Sequence, residues 1–596
     1  MKRISLLSLA LLSLAGVWAQ SGTPEPVSVA DVQITKEAVA VFSSHDTIMY
    51  NPQTGRYDSV TIDDGMQIVS PQEFEAKRAA KSAALRKLVK KMQKRKNAPS
   101  VTPDEDWRYE GHHERSASRL YYYTYPSVDA DGNPVRLSAL MAIPTRMNID
   151  KDDPWILKFL ALTPFPVYLV DRIARPSNVV IGCHVTVTSN WESPTSYNTF
   201  TSFLGLDNFM TDAGMMIFYT RNDILRQPCS LVILPDYEGY GATVDRPHPY
   251  LYQELTARQC VDATRYGLAL YKSKEEVGCL PLEEGWQTVS VGFSQGGSVS
   301  MAVHKYIETN GLDEELHFAG SVCGDGPYSP VATLKYYMTD DGDARDGDKK
   351  TTHRKERVSM PVALALIVKG MLDINPYMRQ YKLTDFFTQN FLNTGIIDYI
   401  EAKSKPNKSD QYTTVGVTDA FRKIKETGYH NGIKIEKVDS LFPIYVDKNL
   451  HGDLAQMLTP ECLEDFRRLA KGEPLKYKFM RDMVKALESN NMTVGWKPKK
   501  RVALYHSTYD TVVPYDNMLA FMNSQKPNGL SYFFEADDSP AKSLGVPTAD
   551  KEHANVFIMD RNCKKDHVPA GTQFFLLGSI TSPDYTLMKW VLEGKQ

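Results

Sequence analysis

Residues 292–297 read Gly-Phe-Ser-Gln-Gly-Gly, a G-x-S-x-G pattern with one further glycine. Composition alone produces that pattern about 0.2 times in a chain of this length, so its context carries the reading. Ser294 stands where a valine-rich strand, 287–293, meets a helix with Val299, Ala302, Val303, Tyr306 and Ile307 on one face. A serine on such a strand-to-helix turn is held in a strained, accessible conformation, and glycines beside it let strand and helix cross closely. The helix N-terminus behind it favours a developing negative charge. The chemistry is nucleophilic attack on a carbonyl carbon.

A serine nucleophile needs a base to take its proton and an acid to orient the base. On an elbow of this kind the acid and then the base follow the serine along the chain. The segment 502–514 offers a strand and a loop with Asp510 at its tip. Asp516 competes, but it lies beyond Pro514, where the next helix is expected to start. Only His553 and His567 of the 13 histidines follow Asp510. Both are expected in a long loop after a strand ending near Glu535. His567, in Asp566-His567-Val568-Pro569, is the favoured base and His553 the alternative. His506 reads as a strand-end residue that shapes the acid's loop.

The elements that would hold these residues alternate in type. A β-hairpin is expected from 121–128 and 135–143 around a turn-rich loop, then strands at 178–188, 230–235, 287–293 and 317–323. Helices at about 252–273 and after Ser294, the latter stopped by Asn310-Gly311, separate them. Strands at 501–506 and 530–535 and a closing helix at 585–593 complete the series. Such alternation predicts an α/β fold with a mostly parallel sheet covered on both faces. Between Asp325 and about Trp496 the pattern turns helical, with a charged loop at 340–350 and an apolar helix at 361–372, which predicts an inserted cap.

Composition is that of an ordinary globular protein of 596 residues, 42% hydrophobic and 24% charged. The net charge of −3 gives no basic field for nucleic acid. Lys2-Arg3, the apolar run 4–17 and Val17-Trp18-Ala19 form a signal peptide pattern, so the chain is expected to be exported, to a periplasmic, secreted or surface location, with no transmembrane segment after removal. From Lys77 to Lys96 there are ten Lys/Arg and no acids, with Leu85, Leu88, Val89 and Met92 at helical spacing; a helix docked on an acidic body is favoured over a membrane-binding arm. None of the seven cysteines forms a C-x-x-C pair, which argues against a zinc ribbon or a thioredoxin-type site. The 340–348 run lacks the ligand pattern of a calcium loop and reads as a solvated acidic loop.

Pro235-Asp236-Tyr237-Glu238-Gly239-Tyr240-Gly241, His248-Pro249-Tyr250-Leu251, the 292–297 elbow and Asp510-Thr511-Val512-Val513-Pro514-Tyr515 follow one another in the order seen in secretory lipases. Over roughly residues 115–325 and 495–596 the chain resembles a bacterial member of that family, the lipases of the Candida lipase A type in the α/β-hydrolase superfamily. The resemblance implies an α/β-hydrolase fold with a helical cap. It also implies an oxyanion hole made by the backbone N–H groups of Gln295 and Asp236, although Asp236 by itself reads equally well as a turn residue. The expected organisation is a signal peptide (1–19), an N-terminal extension with the basic helix (20–100), a first core part with the nucleophile (101–325), a helical cap (326–495) and a second core part with acid and base (496–596).

The resulting expectation is a serine hydrolase of carboxylic esters, with a small-molecule ester or lipid substrate and no metal or organic cofactor. A peptidase of the prolyl oligopeptidase type is the alternative, against which stand the only ~80 residues available before the core for a propeller. A non-catalytic binding protein on the same scaffold is the third.

Overall fold

The computed structural model describes residues 26–51, 56–77, 79–80, 112–145, 175–188, 190–196, 212–221, 229–275, 281–339, 355–393, 396–403, 429–430, 433–434, 452–560, 566–575 and 582–594. The signal peptide pattern, most of the basic helix and the charged loop at 340–350 lie outside these residues.

Eleven strands form one sheet. In chain order they are β1 (Gln33–Asn51), β2 (Arg56–Val69), β3 (His112–Val128), β4 (Pro134–Thr145), β5 (Asn178–Cys183), β6 (Ser230–Pro235), β7 (Gln287–Phe293), β8 (Phe318–Gly324), β9 (Arg501–Tyr505), β10 (Tyr532–Phe534) and β11 (Val556–Met559). Across the sheet they run β10-β11-β9-β8-β7-β5-β6-β4-β3-β1-β2. The strands from β10 to β6 are mutually parallel, and β4, β3, β1 and β2 continue antiparallel. This is the α/β-hydrolase arrangement.

The longer helices that flank the sheet or carry the cap include α1 (Gln253–Glu275), α2 (Gln295–Thr309), α3 (Pro330–Tyr337), α4 (Pro361–Ile374), α5 (Pro460–Lys471), α6 (Lys478–Ser489), α7 (Asp516–Gln525), α8 (His567–Phe575) and α9 (Pro583–Leu592). The parallel strands are apolar on both faces because both faces are covered. Val179 and Ile181 of β5 pack with Val261 of α1 and Val299, Ala302 and Val303 of α2. Val180, between them, points to the opposite core with Phe574 of α8 and Leu587 and Trp590 of α9. The period of two in the strand thus sends alternate residues into two separate cores.

The cap lies in the chain between β8 and β9, which are direct neighbours in the sheet. It has its own core, including Leu364, Leu366 and Met371 of α4, Phe466 of α5 and Met480 and Leu487 of α6. The apolar helix expected at 361–372 extends to Ile374 and starts with Pro361, which suits a first helical turn where an N–H has no partner. Its one cation, Lys369, is paired with Asp373 and Glu401.

Two expectations are corrected. The N-terminal extension expected over 20–100 is not separate from the core: its β1 and β2 are long strands that extend the sheet, and β1 pairs with β3 over most of its length. Nor is the stretch between Glu535 and His567 one loop. It contains β11, a fully buried strand paired with β9 and β10. The described cysteines, Cys183, Cys229, Cys260, Cys323 and Cys462, are buried and in no disulfide. Among the described residues no helix is long and apolar enough to cross a membrane.

Candidate active site

Ser294 joins β7 to α2 with φ 57° and ψ −124°, a conformation a non-glycine residue adopts only when its surroundings impose it. Its N–H donates to the Gly324 carbonyl of β8 at 2.9 Å. The neighbouring glycines are required by contact. A Cβ on Gly292 would lie 2.2 Å from the Gly296 carbonyl oxygen, one on Gly296 2.0 Å from the Cys183 carbonyl oxygen, and one on Gly297 2.2 Å from the Gly324 carbonyl oxygen. Strand, helix and both flanking strands therefore meet around one serine.

Ser294 Oγ is 2.8 Å from His567 Nε2, and His567 Nδ1 is 2.5 Å from Asp510 Oδ2. The other Asp510 oxygen accepts the N–H groups of Val512 and Val513, each at 2.8 Å. With Nδ1–H donating to the carboxylate, Nε2 is left as the acceptor for the serine hydroxyl. Burial holds His567 below the ordinary histidine value, so the imidazole is neutral at neutral pH and able to take a proton. Its ring lies beside Phe293, centroids 5.2 Å apart. Acid and base leave adjacent parallel strands, β9 and β11, at the same edge where β7 delivers the serine.

The competing residues are elsewhere. His553 is exposed and bound to Asp550 at 2.8 Å. Asp516 sits in the first turn of α7. His506 is buried and holds the acid's loop, with Nε2–H donating to the Val513 carbonyl at 2.9 Å, as the sequence led one to expect.

Gln295 opens α2, where a backbone N–H has no partner within the helix. Its side chain is fixed against His248, Nε2 to Nε2 at 3.1 Å, while His248 Nδ1–H donates to the Glu238 carbonyl. Asp236 does not fill the role implied by the resemblance. Its N–H already donates to the Ser138 carbonyl at 2.9 Å, in register with the β4–β6 ladder. Its carboxylate is spent inside the core, accepting from the Ser138 hydroxyl at 2.6 Å and from the N–H and hydroxyl of Thr195. Burial pushes it up to about 6. Moreover, β5 stands between β6 and β7, so the loop after β5, not the one after β6, borders the nucleophile. Val185, Thr186 and Val187 of that loop line the same cavity as Ser294.

The cavity is apolar. Besides Ser294 and His567 it is walled by Leu251, Phe293, Val513 and Phe575, and by Met360, Ala363 and Ile367 of the cap. Ala363 and Ile367 are four residues apart on α4 and share one face. Leu364 does not line the cavity and lies in the cap core, to which Ile367 also belongs. One helix thus both packs in the cap and lines the cavity.

Among the described residues, Asp325, Asp510 and His567 are the acidic and imidazole groups close enough together to bind one cation. The His567 ring and the Asp510 carboxylate are already engaged in the hydrogen-bonded chain to Ser294, which is not the open donor set of a metal centre. Asp325 was not singled out in the sequence. It follows β8 directly in Cys323-Gly324-Asp325-Gly326, a strand end on the same edge of the sheet, and that position was the signal available.

No protein-family description and no curated protein matches the chain. Among solved structures it is similar to the rice cell wall degrading esterase LipA from Xanthomonas oryzae, with 16% identity and a TM-score of 0.45, over 80% of this chain and 90% of that one. It is also similar to Candida antarctica lipase A in its closed state, with 13% identity and a TM-score of 0.44, over 81% of this chain and 79% of that one.

Proposed function

We propose that the protein is an exported serine hydrolase of carboxylic esters, an esterase or lipase, with Ser294, His567 and Asp510 as its catalytic triad. The observation that carries this reading is the hydrogen-bonded chain from Ser294 Oγ through the imidazole to Asp510, opening into an apolar cavity. Ser294 Oγ attacks the ester carbonyl as His567 Nε2 takes its proton. The tetrahedral intermediate collapses, His567 returns the proton to the leaving alkoxide, and an acyl-serine remains. Water, deprotonated by the same imidazole, releases the acid. Asp510 keeps Nδ1 protonated and stabilises the imidazolium in both halves.

The oxyanion is held by the Gln295 N–H at the start of α2 and by a backbone N–H from the loop 184–187 after β5. In elbow enzymes the second donor comes from the loop after the strand on that side of the nucleophile strand, and here it replaces Asp236. Each such donor is worth about 10²–10³ in rate. The apolar walls favour an acyl or alcohol group with hydrocarbon character. Export rests on the charged, apolar and small-residue pattern of residues 1–19.

Ser294→Ala tests the assignment. It should remain folded and lose hydrolysis of p-nitrophenyl esters by about 10⁴ or more. A folded Ser294→Ala protein with full activity would remove the nucleophile. Comparing p-nitrophenyl acetate and butyrate with the matching anilides separates the peptidase reading: an ester hydrolase turns over the esters far faster.

A further inference from the structure

Asp325 is a second buried carboxyl at the active site. It leaves the end of β8 with φ 36°, a left-handed conformation that aims its side chain toward the acid rather than away from it. Its N–H is fixed on the Tyr505 carbonyl at 2.9 Å. A carboxylate oxygen of Asp325, one of Asp510 and a ring nitrogen of His567 lie within 4.8 Å of one another, and all three residues are buried.

Two buried carboxylates this close do not both ionise, since like charges in a low-dielectric site repel strongly. The donors present decide where the shared proton resides. Asp510 accepts three: the N–H groups of Val512 and Val513 and the imidazole Nδ1–H. Asp325 accepts one, the Ser507 N–H at 2.9 Å on Oδ1, and Oδ2 has no donor among the described residues. Nearby charge does not compensate it. His506 is held neutral by burial with its Nε2–H on the Val513 carbonyl, and Tyr328, Tyr337 and Asp566 add no cation.

We propose that Asp325 is a positioning residue for the hydrolysis: a carboxylic acid that keeps its proton on Oδ2, directs it toward Asp510, and so holds Asp510 as the single ionised carboxylate facing His567. It does not touch substrate. It anchors Asp510 to the β8 edge and keeps a second negative charge away from the imidazole. Burial and the Asp510 charge both push the Asp325 carboxyl well above its usual range, in agreement with the donor count.

This inference rests on the triad reading, and its test is separable from that reading. Wild-type ester hydrolysis and its loss in Ser294→Ala report on the triad alone. Asp325→Asn and Asp325→Leu report on the second acid. The carboxamide of Asn reproduces a protonated acid, with NH₂ donating toward Asp510 and the oxygen accepting the Ser507 N–H. Asp325→Asn should therefore keep kcat within about 3-fold, while Asp325→Leu, which cannot donate to the charged Asp510, should lose about 10- to 100-fold in kcat with KM little changed. The acid limb of kcat/KM should coincide in wild type and Asp325→Asn, since neither carries a charge at 325.

An ionised Asp325 would behave differently. Its removal would make the imidazolium less stable and move that limb down by about one pH unit or more, which overturns the proposal. If Asp325→Leu folds with wild-type kcat, or loses only thermal stability, the positioning role is overturned as well. Should Asp325→Leu fail to fold, the Asp325→Asn pH profile decides.

Discussion

Asp566 Oδ1 accepts both the N–H and the hydroxyl of Thr511, each at 3.0 Å, and also the N–H of His567 at 2.9 Å. One carboxylate oxygen thus joins the residue after the acid to the residue that carries the base. The spacing between Asp510 and His567 depends on this junction as well as on their direct contact. Burial is the largest influence on His567 and lowers its value, and the acidic neighbours, Asp566 among them, oppose that effect. The loss of activity on acidification, which is protonation of this base, should therefore have its midpoint below the ordinary histidine value of about 6.5. Asp566→Asn removes the charge, destabilises the imidazolium and should move the midpoint lower still. Asp566→Ala also breaks the junction and should cost about 10-fold in kcat. pH–rate profiles of the three proteins provide the check.

The two C-terminal histidines should behave in opposite ways. His567→Ala should match Ser294→Ala in severity, since the triad acts as a unit. His553→Ala removes an exposed ring bound to Asp550 and should keep essentially all activity. Exchanged phenotypes would mean that His553 is the base.

Along the cap helix, neighbouring positions should separate substrate selection from stability. Ile367 lines the cavity at the margin of the cap core, whereas Leu364 lies in that core and does not line the cavity. Ile367→Ser should stay folded and lose long-chain p-nitrophenyl esters more than acetate. Leu364→Ser leaves a cavity and an unpaired hydroxyl in a packed core, so it should cost about 3 kcal/mol in stability with an unchanged chain-length preference. Chain-length series together with thermal melts distinguish the two.

Glu308, at the end of the nucleophile helix, clamps α2 to the segment that enters β9. Its carboxylate accepts the Trp496 indole N–H at 3.0 Å, the N–H groups of Lys499 and Lys500, and a His304 ring nitrogen at 2.9 Å. Burial works against the charge, yet His304 and these donors hold Glu308 at about 2. A folded-state value below the unfolded one of about 4.3 means stabilisation fully present above that value and lost as pH falls toward 2. Glu308→Gln should cost about 3 kcal/mol at neutral pH and should flatten the dependence of stability on pH between about 5 and 2. Denaturant melts across that range measure both.

How much of this was legible in the sequence depended on range. The strand 287–293, the elbow and the amphipathic helix after it are local patterns, and the structure has them at the expected positions. The order of serine, acid and base follows from the chain alone. What escaped depends on distant pairing. β11 has only four residues, and its place between β9 and β10 is set by strands remote in sequence. β1 mixes polar and apolar residues, and its membership of the sheet follows from β3 beside it. Asp236 looked available for an oxyanion because nothing in Pro235-Asp236-Tyr237 reveals that register places its N–H on Ser138. Asp325 stands at a legible strand end, but its closeness to Asp510 follows only from β8 and β9 being neighbours in the sheet.

The most direct test of the central claim is to trap the acyl-enzyme. Mixing the enzyme with excess p-nitrophenyl acetate, quenching in acid within the first turnovers and mapping peptides by mass spectrometry should find acetyl on the Ser294 peptide. No adduct should form with Ser294→Ala, and little with His567→Ala. An acetyl group on another residue, or ester turnover that persists in Ser294→Ala, would contradict the account.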